Sequence, residues 1–390
     1  MAYTDTSALA GLVKTAYDRY VEFALRAQPM IRAVADKKPA QQAMPGSSVV
    51  FSLYNDLTPA TATLAETTDV DAVALSDVDT VSVTLGEYGN ASLVTRKLQL
   101  FSLSDVDPAV ADIIAYNMAD SLDTVAQNVL VQGTNVIYGG TRTSTATITA
   151  SDTIDSADLR KAVAKLRSNK AVPRAGSLYW VGIHPEVSHD LRAETGSVGW
   201  RESHLHTDAS LGNLFAGSIG TYEGAFYIEN PRMYNAKTGA DQTALATTAV
   251  TVAGTSAGFT FGVASSSVIA SRAEVGDKIA GTGIASGAKI AAITTAGATT
   301  TITVDTANTA AVTVSTVVTV TPVTRVFSTI LAGKQALAEA VAQEPNVVIG
   351  PVTDKLMRFR PIGWYGVLGW SIYRQEALYR IETGSSIAAL

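Results

Sequence analysis

The sequence predicts an α+β protein into which an all-β domain is inserted. Apolar residues recur at three-to-four spacing near the N-terminus and again after Asp107-Pro108, which is typical of helices. Runs in which apolar and polar residues alternate lie between and after these helices and predict strands. Residues 236–322 differ from both sides, because short β-branched runs are separated there by Gly, Ser and Ala turns. This segment is predicted to be a small all-β sandwich or barrel.

The composition fits a protein that has large cores and a lightly charged surface. Of the 390 residues, 47% are hydrophobic and 16% are charged, and a surface so poor in charge is often covered by partners. The absence of cysteine excludes disulfides and thiolate metal sites. A net charge of −6 and a pI near 5.3 argue against general affinity for nucleic acid. If the protein meets DNA, we expect it to enclose the DNA without sequence-specific binding.

Neither a membrane span nor a secretory signal is predicted. The sequence contains no run of 18 or more apolar residues. The segment Met1–Asp5 lacks the basic and apolar regions with which a secretory signal begins. We therefore expect no contact with a membrane.

The first segment, 1–47, is predicted to be an arm that contains one amphipathic helix. Pro29 disfavours helix at the residue before it, so this helix should end near Gln28. Its apolar face consists of Leu9, Leu12, Val13, Ala16, Tyr17, Tyr20 and Phe23.

The second segment, 48–103, is predicted to be an extended β-loop with an acidic tip. No Lys or Arg occurs between Pro39 and Thr95. An isolated hairpin is only marginally stable in water, so we expect the loop to lie on another subunit. Its strands are predicted from two alternating sets, Val49, Phe51 and Leu53, and Val81, Val83 and Leu85.

The third segment, 104–154, is predicted to contain a long helix. Asp107 is a suitable N-cap and Pro108 suits the first helical position, while Gly133 is a suitable C-terminal stop. At 1.5 Å per residue this helix would be roughly 37 Å long. Its apolar stripe consists of Val110, Ile113, Ile114, Met118, Leu122, Val125 and Val129.

The segments 155–235 and 323–390 are predicted to flank the insertion at 236–322. The first begins with a helix from Ser156 and continues with strands at Ser177–Ile183 and Ala225–Ile228. The last contains two paired strands, at Val347–Val352 and Lys355–Tyr373. Its arginines make this end basic, whereas the loop at 48–103 is acidic.

No motif of catalysis or cofactor binding is complete. His184 and His189 are separated by a proline and fit no standard zinc spacing, so a polar loop is the simpler interpretation. Gly333-Lys334 resembles the end of a phosphate-binding loop, but Ser328 and Gln335 occupy positions where that loop needs Gly and Ser or Thr. We therefore expect no enzyme activity, no catalytic residues, no cofactor and no metal. An enzyme would require His184, His189, His204 and His206 to converge.

Several strings of the sequence, taken in order, resemble one architecture. They are Glu87–Arg96 (EYGNASLVTR), Ser102–Pro108 (SLSDVDP), Ala119–Asp123 (ADSLD), Tyr179–His189 (YWVGIHPEVSH) and Ser328–Ala336 (STILAGKQA). The chain resembles the tailed-phage major capsid protein with the HK-ninety-seven fold, and more closely its N-four-type family. The resemblance covers residues 1–235 and 323–390.

This resemblance implies a structural protein that assembles into an icosahedral shell around double-stranded DNA. The partners implied are copies of the chain itself in hexamers and pentamers, with portal, scaffolding and decoration proteins. The location implied is the virion, after synthesis in the host cytoplasm. The segment 104–154 would be the peripheral domain with its spine helix, and 155–235 the axial domain. Residues 323–390 would return through the axial domain to complete the peripheral sheet.

Complementary charge suggests where copies of the chain meet. The acids of the loop would face basic residues of a neighbour. The residues predicted at these contacts are Glu66, Asp69, Asp71, Asp77, Asp79, Arg96, Lys97, Arg358 and Arg360.

Two other functions remain open from the sequence alone. An encapsulin-like compartment shell would share the fold. A β-rich adhesive or carbohydrate-binding protein would be built around residues 236–322.

Overall fold

A computed structural model describes most of the chain. The described residues are 29–39, 48–53, 57, 59–61, 63–64, 66, 69, 79–101, 106–194, 218–351, 356 and 358–387. The helix predicted to end near Gln28 lies outside them. The chain divides into two compact units, the first formed by residues 1–126 and 337–373 and the second by residues 127–336 and 374–390.

Helices and strands are numbered here in chain order. The helices are α1 (Arg96–Phe101), α2 (Val106–Leu130), α3 (Ser156–Ser168), α4 (Pro185–Ala193) and α5 (Val268–Arg272). The strands are β1 (Ala35–Pro39), β2 (Ser48–Leu53), β3 (Asp79–Thr84), β4 (Gly86–Thr95), β5 (Val136–Tyr138), β6 (Tyr179–Ile183), β7 (Ser218–Tyr222), β8 (Ala225–Glu229), β9 (Asn235–Asp241), β10 (Thr248–Val252), β11 (Thr260–Ala264), β12 (Lys278–Gly281), β13 (Ile290–Ala296), β14 (Thr299–Val304), β15 (Val317–Thr321), β16 (Val323–Ala332), β17 (Leu337–Ile349), β18 (Phe359–Ile372) and β19 (Leu378–Thr383).

The first unit is built on a four-stranded sheet with the order β1-β17-β18-β4. Strand β1 runs parallel to β17, and the other pairs are antiparallel. The predicted pairing of the two C-terminal strands is confirmed, since Val347 lies opposite Trp364. Strand β4, which lies within the predicted loop 48–103, pairs along its whole length with β18. The boundaries of the six predicted segments stay predictions.

The hairpin predicted from alternating residues is present in the first unit. Strands β2 and β3 pair so that Val49 lies opposite Val83 and Phe51 opposite Val81. Its apolar face packs on β17 through a small core that includes Ala338 and Ala340. Period-two alternation predicted the two strands, because only one face of the hairpin is buried.

The predicted long helix is α2, which begins slightly earlier than expected. Since its first residue is Val106, Asp107 lies within the first turn and is not the N-cap. Pro108 is tolerated because the first four N–H groups of a helix have no acceptor within it. After Leu130 the chain leaves the helix, and the N–H of Gly133 donates to the carbonyl of Leu130 at 3.1 Å.

The body of the second unit is a seven-stranded sheet in which β5-β19-β16-β6-β8-β7 form one path and β9 also pairs with β16. The predicted helix from Ser156 is α3, and its N-cap Asp155 accepts the N–H of Asp158 at 2.7 Å. The polar loop expected after His184 is instead the helix α4. His184 Nδ1 accepts the N–H of Glu186 at 3.3 Å, and Pro185 occupies the first position.

The insertion is a six-stranded barrel with the order β12-β15-β10-β11-β14-β13. An antiparallel bridge between Lys278 and Lys289 brings β12 next to β13 and so closes the barrel. Its core includes Phe261, Ile302 and Val320, all buried. The insertion is built mainly of strands, as predicted, but it also contains the short helix α5 (Val268–Arg272), which the all-β prediction missed. Among the described helices, none is long and apolar enough to span a membrane.

Candidate assembly surfaces

The hairpin of the first unit is anchored at its base and exposed toward its tip. Phe51 is 5% exposed, and its ring packs edge-on against that of Tyr373 at 5.3 Å. Beyond this base, Leu57 is 51% and Leu64 is 75% exposed. Both leucines therefore leave most of their apolar surface in water.

Three of the predicted acidic contacts belong to the described residues of this hairpin. Glu66 and Asp69 are both exposed. Asp79 is the first residue of β3 and pairs with Leu53. Asp71 and Asp77 lie outside the described residues.

The structure brings the four predicted basic contacts together at one end of the sheet. Arg96 and Lys97 begin α1, directly after β4, and Arg358 directly precedes β18. The backbone N–H of Arg96 donates to the carbonyl of Arg358 at 2.8 Å, and Arg360 lies opposite Val94 in the β18–β4 ladder. All four basic side chains are exposed. We name these four residues the basic cluster.

Exposed leucines adjoin the basic cluster, and sequence reasoning missed them. Leu98 and Leu100 are 51% and 73% exposed on α1, and Leu93 is 62% exposed on β4. Leu93 lies opposite Pro361 on the same face of the sheet as Tyr365, which is also exposed. The available signal was the string RKLQLF of α1, in which two basic residues are followed by two leucines on either side of a glutamine. A face that combines cations with apolar side chains has the chemistry of a protein interface.

The spine helix α2 fixes this sheet through one amide side chain. Asn117 Oδ1 accepts the indole N–H of Trp364 at 3.0 Å and an amide N–H of Asn90 at 3.2 Å. These two donors lie opposite each other on β18 and β4. One helix residue therefore ties together the two strands that carry the basic cluster at their ends.

A second set of contacts holds the strand that follows the N-terminal segment. The carboxylate of Asp123 on α2 accepts the backbone N–H of Arg32 at 2.9 Å. The Arg32 guanidinium donates to Glu339 Oε1 at 2.5 and 2.8 Å, and Glu339 is fully buried. Burial raises the pKa of Asp123, while backbone hydrogen bonds from Met30, Ile31 and Arg32 act in the opposite direction.

The histidines do not form a described site. His184 packs its ring 4.8 Å from that of Phe327, and burial lowers its pKa. His189 is largely exposed beside Asp190. His204 and His206 lie outside the described residues. Within the described parts of the chain, no group of three His, Asp or Glu side chains could hold a metal ion.

A comparison with protein families establishes the family of the chain. A sequence model of the phage capsid protein family matches residues 13–376, nearly the whole chain. The chain belongs to the phage capsid protein family. A search of curated protein sequences found no match.

Solved capsid structures share the fold at low sequence identity. A chain from the capsid of Ralstonia phage GP4 is 11% identical with a TM-score of 0.60, and the match covers 96% of each chain. A chain of the cyanophage Pam1 capsid asymmetric unit is 12% identical with a TM-score of 0.59, covering 98% of this chain and 100% of that one. A chain from Mycobacterium phage Che8 is 14% identical with a TM-score of 0.54, covering 95% and 97%.

The α+β prediction with the HK-ninety-seven fold is confirmed, and so is the prediction of a major capsid protein. As a member of this capsid family the protein has a structural role. It associates with copies of itself in the shell of a phage head and is located in the virion.

Proposed function

We propose that the hairpin of each subunit reaches a neighbouring copy and places its acidic tip against that copy's basic cluster. The observation that carries this proposal is that four cations from two distant stretches of the chain, 96–97 and 358–360, meet at one end of the sheet. The hairpin supplies the opposite charge, with exposed Glu66 and Asp69 beside exposed Leu64.

Weak and repeated contacts suit this task. An exposed ion pair contributes about 0–1 kcal/mol, so a subunit that binds in the wrong place can leave again. Exposed leucines at both surfaces add apolar area that water leaves on contact. Specific interfaces bury about 1,200–2,000 Å², and closed symmetry repeats each contact over the shell.

The shell of this proposal is an icosahedral head of hexamers and pentamers that encloses double-stranded DNA. The chain is made in the host cytoplasm, assembles with portal, scaffolding and decoration proteins, and catalyses no reaction. The net charge of −6 suits a container that does not hold DNA tightly. Membership of the phage capsid family favours this function over a compartment shell or an adhesive protein.

Charge reversal tests the proposed contact. The double variant Glu66→Lys/Asp69→Lys should fail to form normal shells, as seen by electron microscopy and sedimentation of the overexpressed chain. Combining it with Arg96→Glu/Lys97→Glu should restore shells, because the charges are then exchanged. The control is Glu376→Lys, which reverses an exposed acid of the second unit.

Normal shells from Glu66→Lys/Asp69→Lys would refute the contact. Failure of the charge-exchanged variant, when each double variant alone remains folded by circular dichroism, would refute the pairing of these two surfaces. Shells that contain a cargo enzyme in place of DNA would favour the compartment.

A further inference from the structure

The charged residues of the inserted segment are unevenly placed. Strands β10, β11, β13, β14 and β15 contain no charged residue at all. The charged residues of 236–322 are Lys237, Asp241, Arg272, Glu274, Asp277, Lys278, Lys289 and Asp305. Lys237 and Asp241 belong to β9, which pairs with β16 of the body sheet. Charge is therefore concentrated where the barrel meets the body of the second unit.

Asp277 is at the centre of that junction and is only 1% exposed. Its Oδ1 accepts from Lys237 Nζ at 2.6 Å and from the backbone N–H of Val323 at 3.1 Å. Its Oδ2 accepts the N–H of Glu274 at 2.8 Å. One barrel carboxylate thus binds both body strands, β9 and β16.

Glu274 adds a second bridge between the same parts. Its Oε2 lies 3.0 Å from Lys237 Nζ and 2.9 Å from an Nη of Arg325 on β16. Hydrogen bonding from Lys237 lowers the pKa of Glu274, so this bridge stays charged at neutral pH. A side chain at Gly276 would place its Cβ 3.1 Å from the Cβ of Lys237, and the φ of Gly276 is +96°. Glycine therefore allows the turn 274–277 to lie directly on β9.

The covalent connections alone would leave the barrel free to tilt. They are the segments 242–247 and 321–323, which run side by side. Gln242 N–H donates to the carbonyl of Pro322, and Leu245 N–H to that of Val320, both at 2.8 Å. Two paired segments can bend together like a hinge, which would tilt the barrel. A contact between the barrel and the body sheet at one side of these segments prevents that tilt.

We infer that Glu274 and Asp277 are positioning residues that hold the inserted barrel in one fixed orientation on the body of the second unit. Lys237 is only 11% exposed in this contact, so removing both carboxylates while the barrel stays in place would leave a largely buried cation without its partners, which is strongly unfavourable. Every copy of the chain then presents the barrel at the same angle. The exposed valines Val252 and Val314 recur at the same place on each subunit as a result.

Distance measurements on the full chain test the orientation. Because the chain has no cysteine, spin labels can be attached to Ala164→Cys, on the exposed side of α3, and Ala298→Cys, in the turn between β13 and β14. Labelled subunits are diluted into unlabelled ones to suppress signals between copies. The distance distribution should be narrow in this background and at least twofold broader after Glu274→Ala/Asp277→Ala.

The matched control removes a different ion pair at the same junction. Lys278→Ala deletes the exposed Lys278–Asp241 pair at 2.6 Å and should leave the distribution narrow. Lys237 belongs to β9 and so lies outside the barrel. The variant Lys237→Met should broaden the distance distribution without altering amide exchange of the barrel core at Ile302. A narrow distribution in Glu274→Ala/Asp277→Ala, or equal broadening by Lys278→Ala, would overturn the inference. The inference would also be overturned if the distance distribution broadened only in variants whose barrel core lost its protection from amide exchange, because the barrel would then have unfolded and not tilted.

Discussion

The carboxylate of Asp123 accepts the backbone N–H of Arg32 at 2.9 Å, across 91 residues of sequence. The residue that receives this bond lies on the spine helix, and the donor belongs to the short turn Ile31–Val34 that precedes β1. Ile31 and Val34 are each only 1% exposed. The start of β1 is therefore held by a buried polar contact as well as by its apolar side chains.

Asp123→Ala should lower the free energy of unfolding of the isolated subunit by about 1–3 kcal/mol, because a buried N–H loses its acceptor. Amide exchange should accelerate at Met30, Ile31 and Arg32 and stay unchanged at the middle of β18. Asn128→Ala, at an exposed position of the same helix, is the control and should be near neutral. Unchanged protection of these three amides would show that the carboxylate does not hold the turn.

Asp123→Asn should change how stability depends on pH. Burial raises the pKa of Asp123 in the folded state above its value in the unfolded state. The folded protein is therefore most stable below the unfolded-state pKa, where Asp123 is protonated. It loses that stability as the pH rises through the folded-state pKa. The asparagine has no such loss. Relative to the wild type, the variant should gain stability as the pH rises above about 4, the usual pKa of an aspartate, measured as urea midpoints. A difference that is constant across this range would contradict the raised pKa.

Arg32→Ala should destabilise the subunit by about 3–5 kcal/mol, because it leaves the fully buried Glu339 without its cation. The double variant Arg32→Met/Glu339→Leu should recover most of that loss, since it removes both charges. Thermal unfolding of the two variants side by side measures the difference. If the double variant were as unstable as Arg32→Ala, packing and not charge would explain the effect.

Two substitutions in the hairpin separate stability from assembly. Phe51→Ala should cost about 3–5 kcal/mol, because it empties the small core beneath the hairpin. Leu64→Ser, at a side chain 75% exposed, should leave unfolding unchanged and yet reduce the yield of shells. Normal shells from Leu64→Ser would remove the tip from the proposed interface.

Assembly should weaken as salt rises. The screening length falls from about 10 Å at 0.1 M to about 3 Å at 1 M ionic strength, which weakens contacts between the acidic tip and the basic cluster. Light scattering of assembling subunits should show a slower rise at high salt. The variant Glu66→Gln/Asp69→Asn, which lacks the attraction without adding repulsion, should assemble at a rate that depends much less on salt. A wild-type rate that does not depend on salt would exclude an electrostatic contact.

The sequence predicted elements whose signals are local. The helix after Asp155 has a capping residue and a clear apolar face, and the alternation around Val49 and Phe51 predicted a strand because the hairpin has one buried face. The strand at Ala225–Ile228 was found because glycines punctuate the stretch before it, up to Gly224. Four basic side chains were chosen on charge alone, and the structure places them together.

What the sequence could not predict depends on contacts between distant residues. The parallel pairing of Ala35 with Leu337 joins positions about 300 residues apart, and no local pattern encodes it. The hydrogen bond from the Arg32 N–H to Asp123 could not be predicted either, because a carboxylate on a helix is usually exposed to solvent. α4 was missed although His184 and Pro185 form a start signal, since so short a helix has little apolar periodicity.

The pairing of β1 with β17 also determines when this protein can become a building block. The sheet of the first unit needs both β1 and β18, and β18 ends at Ile372. During synthesis the inserted barrel can fold much earlier, because all its strands lie between residues 248 and 321. Domains fold as units while the ribosome is still adding residues. The sheet of the first unit cannot be completed until β18 has been synthesised. An unfinished chain therefore has no completed sheet to offer a growing particle.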